Sequence, residues 1–202
     1  MQRVTRVRKL FHLLMVLIFL PGLYFNKQLL CLASVCALVL FLVVEAARIL
    51  RVPPFYQPIG RLYRDFLDSR DSGLVVLTHI YLLIGCSGPL WTSIGQPDLN
   101  DLFPLAGIIS VGVGDTMASF VGSKYGRLKW KYSDKSVEGT VACACSQLIF
   151  IFLLNKFGII SLVGVANGKI VAAVVLTSLL EAFTDQIDNL ILPLFMYLLL
   201  LI

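Results

Sequence analysis

The sequence predicts an all-α integral membrane protein, a polytopic bundle of about seven transmembrane helices, and three observations lead there. Of its 202 residues 58% are hydrophobic and only 14% charged, with a mean hydropathy of +0.87, whereas soluble domains carry about 25% charged residues. The apolar residues gather into runs close to the roughly 20 residues a helix needs to cross a bilayer, longer than the roughly ten of a barrel strand. Within hydrocarbon the backbone must satisfy its own hydrogen bonds, which leaves helices as the spanning element for runs of this length. No linker, repeat or low-complexity tract divides the chain, so residues 1–202 are expected to form one membrane domain.

The runs occupy 10–25, 29–47, 74–94, 102–121, 140–154, 159–180 and 190–202, the first, fifth and last being short. A basic start before the first run is also the form of a signal peptide. The bulky Pro21-Gly22-Leu23-Tyr24-Phe25 offers no small-x-small cleavage site, so this run is expected to remain as a span. The third contains His79, expected to hydrogen-bond between helices. In the fourth, Ser110, Gly114, Ala118 and Gly122 recur every four residues and predict a stripe along which another backbone approaches closely. Gly164 and Gly168 in the sixth read as a GxxxG packing contact. The five cysteines all fall inside apolar runs, so no disulfide framework is expected, and Cys143-Ala-Cys145 lacks the partners of a metal site.

Charge orients the bundle. If the runs alternate across the membrane, one side receives the N-terminal tail with Arg3, Arg6, Arg8 and Lys9, the 48–72 loop and the 122–138 loop, together 14 of the 17 Lys and Arg. The other side has Lys27, Lys156 and Lys169. Cytosolic loops carry the excess of cations, so the N-terminus and the basic loops are expected in the cytosol.

Polar residues gather at that same face. Asp115 lies inside the fourth run, where a charged side chain costs roughly 2.5–3.5 kcal/mol on insertion scales and so marks a functional candidate. The loop SKYGRLKWKYSDKSVEGT, 123–140, holds Lys124, Arg127, Lys129, Lys131 and Lys135 with Trp130 and Tyr132. Such a cluster suits a polyphosphate, with an aromatic surface for a base, and equally suits anionic lipid headgroups. Acids accompany it: Asp134 and Glu138 in the loop, then Glu181, Asp185 and Asp188 between the sixth and seventh runs. Asp68, Arg70 and Asp71 are expected to pair with one another or to cap a helix. Cations for phosphate and carboxylates for a hard divalent ion are the parts of phosphoryl transfer. Neither a G-x-x-x-x-G-K-[ST] phosphate loop nor a protein-kinase motif set is present, which argues against an ordinary ATP-binding fold.

Five stretches in order, RKLFHLL (8–14), LDSRDSGLVVLTHIYLL (67–83), GVGDTMASFVGS (112–123), SVEGT (136–140) and LLEAFTDQIDNLILPL (179–194), strongly resemble the dolichol kinase family, and more loosely the wider polyprenol kinase and CTP-dependent lipid kinases. The resemblance covers nearly the whole chain and corresponds to the C-terminal catalytic part of longer proteins. It implies an endoplasmic reticulum membrane kinase that transfers the terminal phosphate of CTP to dolichol, giving the dolichyl phosphate used in protein glycosylation. It further implies a divalent cation such as Mg²⁺, no nucleic-acid partner and a cytosolic active face.

Carried over residue by residue, the resemblance makes Asp115, Glu138 and Asp188 the catalytic candidates and Asp115, Glu181 and Asp188 the metal candidates. Ser123, Lys124, Gly126, Arg127, Lys129, Lys131, Lys135, Ser136, Gly139 and Thr140 are the nucleotide-binding candidates. Asp134 stands where the family usually has a second basic residue. His12, one turn after Arg8, is open to two readings, a contact to phosphate or lipid hydroxyl and an interfacial structural histidine. A CTP:phosphatidate cytidylyltransferase, a transporter and a catalytically silent truncated isoform are the rival readings.

Overall fold

The computed structural model describes residues 2–53, 77–96, 101–184 and 187–202, with side chains from Lys9 onward in the first helix. Asp68, Arg70, Asp71, Asp185 and most of the 48–72 loop lie outside the described residues, as do the side chains of Arg3, Arg6 and Arg8. The regular secondary structure of the described residues is helical, apart from one isolated antiparallel bridge between Lys129 and Ser136.

Helix α1, Gln2–Phe25, runs into α2, Lys27–Ile49, across Asn26 alone. Asn26 leaves helical geometry at φ −159°, and its side chain accepts the Leu29 N–H at 2.9 Å, satisfying one of the amides that a helix start leaves unpaired. The two helices can close this tightly because Gly22 lies against Leu30. Helix α3, Thr78–Ser93, is pinned to α2 where the Trp91 indole donates to the Ser34 hydroxyl at 2.8 Å. His79, near the start of α3, meets the Phe41 ring of α2 edge-on at 5.0 Å, so its interhelical contact includes an aromatic face.

After a 3₁₀ turn at Phe103–Leu105 the chain enters the central element, a π-helical stretch Ile108–Asp115 continuing directly into α4, Thr116–Tyr125. Nearly all of the π stretch is buried, and it packs against α1, α5, α6 and α7. π geometry widens the helix by one residue per turn and is found most often at functional sites. Here it ends on Asp115. Helices α5, Val137–Lys156, α6, Asn167–Phe183, and α7, Asp188–Leu201, complete the bundle around a core that includes Leu90, Ile108, Ile109, Val174, Leu192, Met196 and Leu200.

The predicted small-residue stripe packs on α5. A Cβ on Gly114 would lie 2.4 Å from Gln147 Nε2, and one on Gly139 would lie 2.9 Å from the Ala118 carbonyl oxygen. The sixth run, expected to be helical from 159, instead begins its helix at Asn167. Gly158 and Gly164 adopt φ of +68° and +85°, which ends α5 and holds the preceding residues in turns. The GxxxG contact expected at Gly164 and Gly168 is therefore not made: a Cβ on either glycine meets nothing within 4 Å.

Among the described residues two helices, Lys27–Ile49 and Val137–Lys156, are long and apolar enough to cross a membrane, and Lys9–Phe25 and Asp188–Leu201 are shorter apolar helices. Their outward faces are apolar, with Leu17, Leu32, Val39, Val43, Phe152 and Leu198 each half-exposed or more. Such surfaces suit a lipid environment, since contiguous apolar patches of this kind are rare on soluble proteins.

The closest backbone approach joins α3 to α7. A Cβ on Gly85 would lie 2.0 Å from the Asn189 carbonyl oxygen, which is backbone and cannot rotate away. Gly85→Ala is expected to destabilise the fold by about 1–3 kcal/mol or more, read as a lowered thermal midpoint in detergent. Gly88→Ala, one turn on, is the control: its Cβ meets Leu194 at an ordinary 3.5 Å, and it is expected to leave the midpoint unchanged.

Candidate functional site

The end of the π stretch, the start of α1, the 126–136 loop and the end of α6 meet at one end of the bundle. Asp115 is buried there, 4% exposed. The Lys9 ammonium donates to its Oδ2, and His12 Nδ1 stands 3.0 Å from the same oxygen. The His12 contact is close but not collinear, leaving Nδ1 without a directed hydrogen bond. Lys9 and His12 are three residues apart on one face of α1, which is why a single carboxylate meets both.

A second ion pair stands beside the first. Lys135 leaves the loop and reaches the Glu181 carboxylate at 2.8 Å, the Glu181 carbonyl, and the Thr184 carbonyl at 2.9 Å. It thereby places a cation on two carbonyl oxygens at the C-terminal end of α6. Asp115 and Lys9 are both within electrostatic reach of Glu181, so the two ion pairs stand near one another. A buried carboxylate is tolerated only when paired in this way.

Behind the cluster lies a polar patch between α5 and α6. Gln147, fully buried, donates through Nε2 to Cys143 Sγ at 3.1 Å and to the Ser178 hydroxyl at 3.3 Å. Asp115 and Glu181 both act electrostatically on Cys143, which places this patch beside the acids.

The basic loop is folded on itself. The Ser136 hydroxyl caps α5 by accepting the Gly139 N–H at 3.1 Å, and the Glu138 carboxylate accepts the amides of Arg127 at 3.0 Å and Leu128 at 3.1 Å. Trp130 donates its indole N–H to the Thr140 hydroxyl at 3.0 Å and packs against Phe183 with ring centroids 5.4 Å apart. Gly126 must lack a side chain, because a Cβ there would lie 2.3 Å from the Gly122 carbonyl oxygen and 2.6 Å from Ser136 Oγ.

The predicted residues therefore divide. Ser123, Lys124, Gly126, Arg127, Lys129 and Lys131 are exposed, with Lys124 over the Tyr125 ring at 5.1 Å and Lys131 over Tyr132 at 5.5 Å. Lys135 turns inward, whereas Ser136, Gly139 and Thr140 are buried in the loop's own frame. Trp130, expected to offer a stacking surface, is committed to Thr140 and Phe183; Tyr132 is exposed, at 83%, with Lys131 over its ring. Glu138 is engaged with the loop backbone, and Asp134 is fully exposed beside Lys129 at 3.9 Å.

Asp188 is buried at the first turn of α7, its Oδ1 accepting the Asn189 N–H at 2.9 Å. Among the described residues no three His, Cys, Asp or Glu side chains form a metal-ligating group, so Asp115, Glu181 and Asp188 do not constitute a ready three-ligand site. They fit a lesser demand. Mg²⁺ arriving with a nucleotide takes most of its ligands from phosphate and water and needs one or two carboxylates.

Reading the sequence missed Lys9 as a partner of Asp115, counting it only as a topology charge, although its spacing from His12 was visible. It also missed Gln147, a lone amide in an apolar run, and Glu45, a buried acid held by Arg48 at 2.7 Å near the end of α2. A cavity of about 270 Å³ lined by Leu20, Tyr24, Lys27, Asp101 and Ile159 is at the far end of α1 from Lys9. Sixteen helical residues, about 24 Å, separate Lys9 from the end of α1 at Phe25, beside Tyr24 of the cavity lining, so this cavity is not part of the cluster.

A family model described as dolichol kinase matches residues 1–128. The chain is 39% identical over 208 residues to the dolichol kinase of Homo sapiens, covering 99% of the chain and 38% of that protein. It is 42% identical over 196 residues to dolichol kinase EVAN of Arabidopsis thaliana, covering 95% and 34%, and 31% identical over 191 residues to the dolichol kinase of Saccharomyces cerevisiae, covering 94% and 35%. The chain thus spans little more than a third of the length of these relatives. No solved structure matches it.

Proposed function

The chain belongs to the dolichol kinase family, and from that premise we propose that it transfers the terminal phosphate of CTP to the hydroxyl of dolichol, in the endoplasmic reticulum membrane, at an active end facing the cytosol. About seven spans and a cytosolic N-terminus belong to the same reading. The observation that carries it is the presence of two lysine–carboxylate pairs near one another at one end of an apolar bundle, Lys9 with buried Asp115 and the cationic loop's inward Lys135 with buried Glu181.

In the transfer the alcohol oxygen forms a bond to the terminal phosphorus, the bond from that phosphorus to the bridging oxygen breaks, and CDP leaves with the electron pair. The hydroxyl proton passes to a carboxylate, with Asp115, Glu138 and Asp188 the candidates. The transition state is loose and highly charged, so catalysis rests on positioning and charge neutralisation. Lys124, Arg127, Lys129 and Lys131 point outward, where they draw in and hold the polyphosphate. Lys135 is placed to bring the transferring group to the bundle end. Ser123, Gly126, Ser136, Gly139 and Thr140 shape the loop around it. When bound, a divalent cation held by Asp115, Glu181 or Asp188 would neutralise phosphate oxygens.

The test is transfer by the purified chain in lipid vesicles containing dolichol, with CTP and ATP compared. The expected products are dolichyl phosphate and CDP, with CTP preferred. Folded protein that yields no dolichyl phosphate, or that releases pyrophosphate, overturns the proposal.

A further inference from the structure

Gln147 is 0% exposed and sits in the middle of an apolar span, where an amide persists only with partners for both its ends. One end is accounted for by Cys143 Sγ and Ser178 Oγ. The Ser178 hydroxyl already donates its single hydrogen to the Val174 carbonyl at 2.8 Å, so toward Gln147 it can only accept. With that hydrogen committed along α6, the group facing Ser178 is the NH₂. Oε1 is left as a buried acceptor without a hydrogen-bond partner.

The surroundings of the Gln147 amide are specific. Gln147 lies so close to the π stretch that a Cβ on Gly114 would fall 2.4 Å from Nε2, and Asp115 is the next residue. Ser178 is one helical turn, about 5 Å, from Glu181, whose carboxylate holds Lys135. An unpaired acceptor within the apolar span, on a side chain packed against the residue before Asp115, calls for a donor. Nucleotide phosphates at neutral pH are acceptors, and a polyisoprenoid tail has no polar hydrogen. A primary alcohol at the end of such a tail has one.

We infer that Gln147 Oε1 accepts the hydrogen bond of the lipid alcohol's hydroxyl, and that Gln147 with Ser178 forms the subsite that admits a polyisoprenoid alcohol and seats its oxygen beside Asp115. The inference rests on the kinase reading above and deepens it by assigning the acceptor subsite. Gly114 belongs to the subsite because any side chain there displaces the amide.

The experiment compares binding of a medium-length polyprenol and its methyl ether, which lacks the donor, to the full chain in detergent, with phosphoryl transfer measured alongside. The unaltered protein is expected to bind the alcohol about tenfold more tightly than the ether, the worth of one buried hydrogen bond. Gln147→Met is expected to bind both alike, with KM for the alcohol raised about tenfold and KM for CTP unchanged. If Gln147→Met does not fold, Ser178→Ala, which releases the amide from its anchor, is expected to reduce the preference about threefold. Equal binding of alcohol and ether by the unaltered protein, or an undiminished preference in the variant that folds, overturns the inference. Loss of the preference in a chain that performs no transfer leaves the subsite standing and overturns the kinase reading instead.

Discussion

Asp115→Asn is expected to abolish phosphoryl transfer, by at least about 100-fold, and to destabilise the protein at the same time. Both effects have one origin. Asp115 is buried against Lys9 and His12, whose side chains are 14% and 2% exposed. Removing its charge leaves an ammonium in a poorly solvated site, and breaking a buried pair from one side costs about 3–5 kcal/mol. The two effects separate in the double variant Lys9→Met/Asp115→Asn, which removes both charges. It is expected to recover most of the thermal midpoint lost by the single variant while remaining inactive. A double variant no more stable than Asp115→Asn would show that the lysine is not the electrostatic partner, and undiminished transfer by the single variant would remove Asp115 from the mechanism.

Lys135→Met is the second large effect expected. This lysine is the cation proposed for phosphate, and it ties the loop to the end of α6 through the Glu181 carboxylate and two carbonyl oxygens. Its loss leaves Glu181, 4% exposed, without that counter-charge and unties the loop. We expect a cost of about 3–5 kcal/mol in stability, at least a tenfold rise in KM for CTP, and faster limited proteolysis between 126 and 136. Lys129→Ala provides the contrast. Its side chain is 65% exposed and its ammonium stands 3.9 Å from Asp134, so its loss is expected to change stability by less than about 1 kcal/mol, with protease sensitivity unaltered. Equal proteolysis of the two variants would refute the role of Lys135 as a tie.

What the chain discloses without coordinates is set by period and composition. Apolar runs announced the helices, with starts within a few residues of those observed for α2, α5 and α7. The four-residue recurrence from Ser110 to Gly122 announced a close contact, because small residues at that spacing have little use except approach. Asp115 stood out because charge within an apolar run has a cost that something must offset.

The sixth run marks the limit of such reading: it is as apolar at 159–166 as within α6, and only the positive φ of Gly158 and Gly164 separates turn from helix. Pairing lies beyond it altogether. Lys9 and Asp115 are 106 residues apart, Lys135 and Glu181 are 46 apart, and no local pattern states that they meet. The outcome for Glu138 and Trp130 likewise depended on which loop amides and rings came within 3 to 5 Å after folding. Taken alone, then, the sequence determined that the chain is helical and apolar, where its helices run, and which residues are costly enough to need a purpose. Tertiary structure alone decided which cation each acid holds, how the basic loop closes, and that Gln147 keeps an unpaired oxygen, because transfer energies belong to single residues whereas hydrogen bonds and ion pairs exist only once distant segments are in contact.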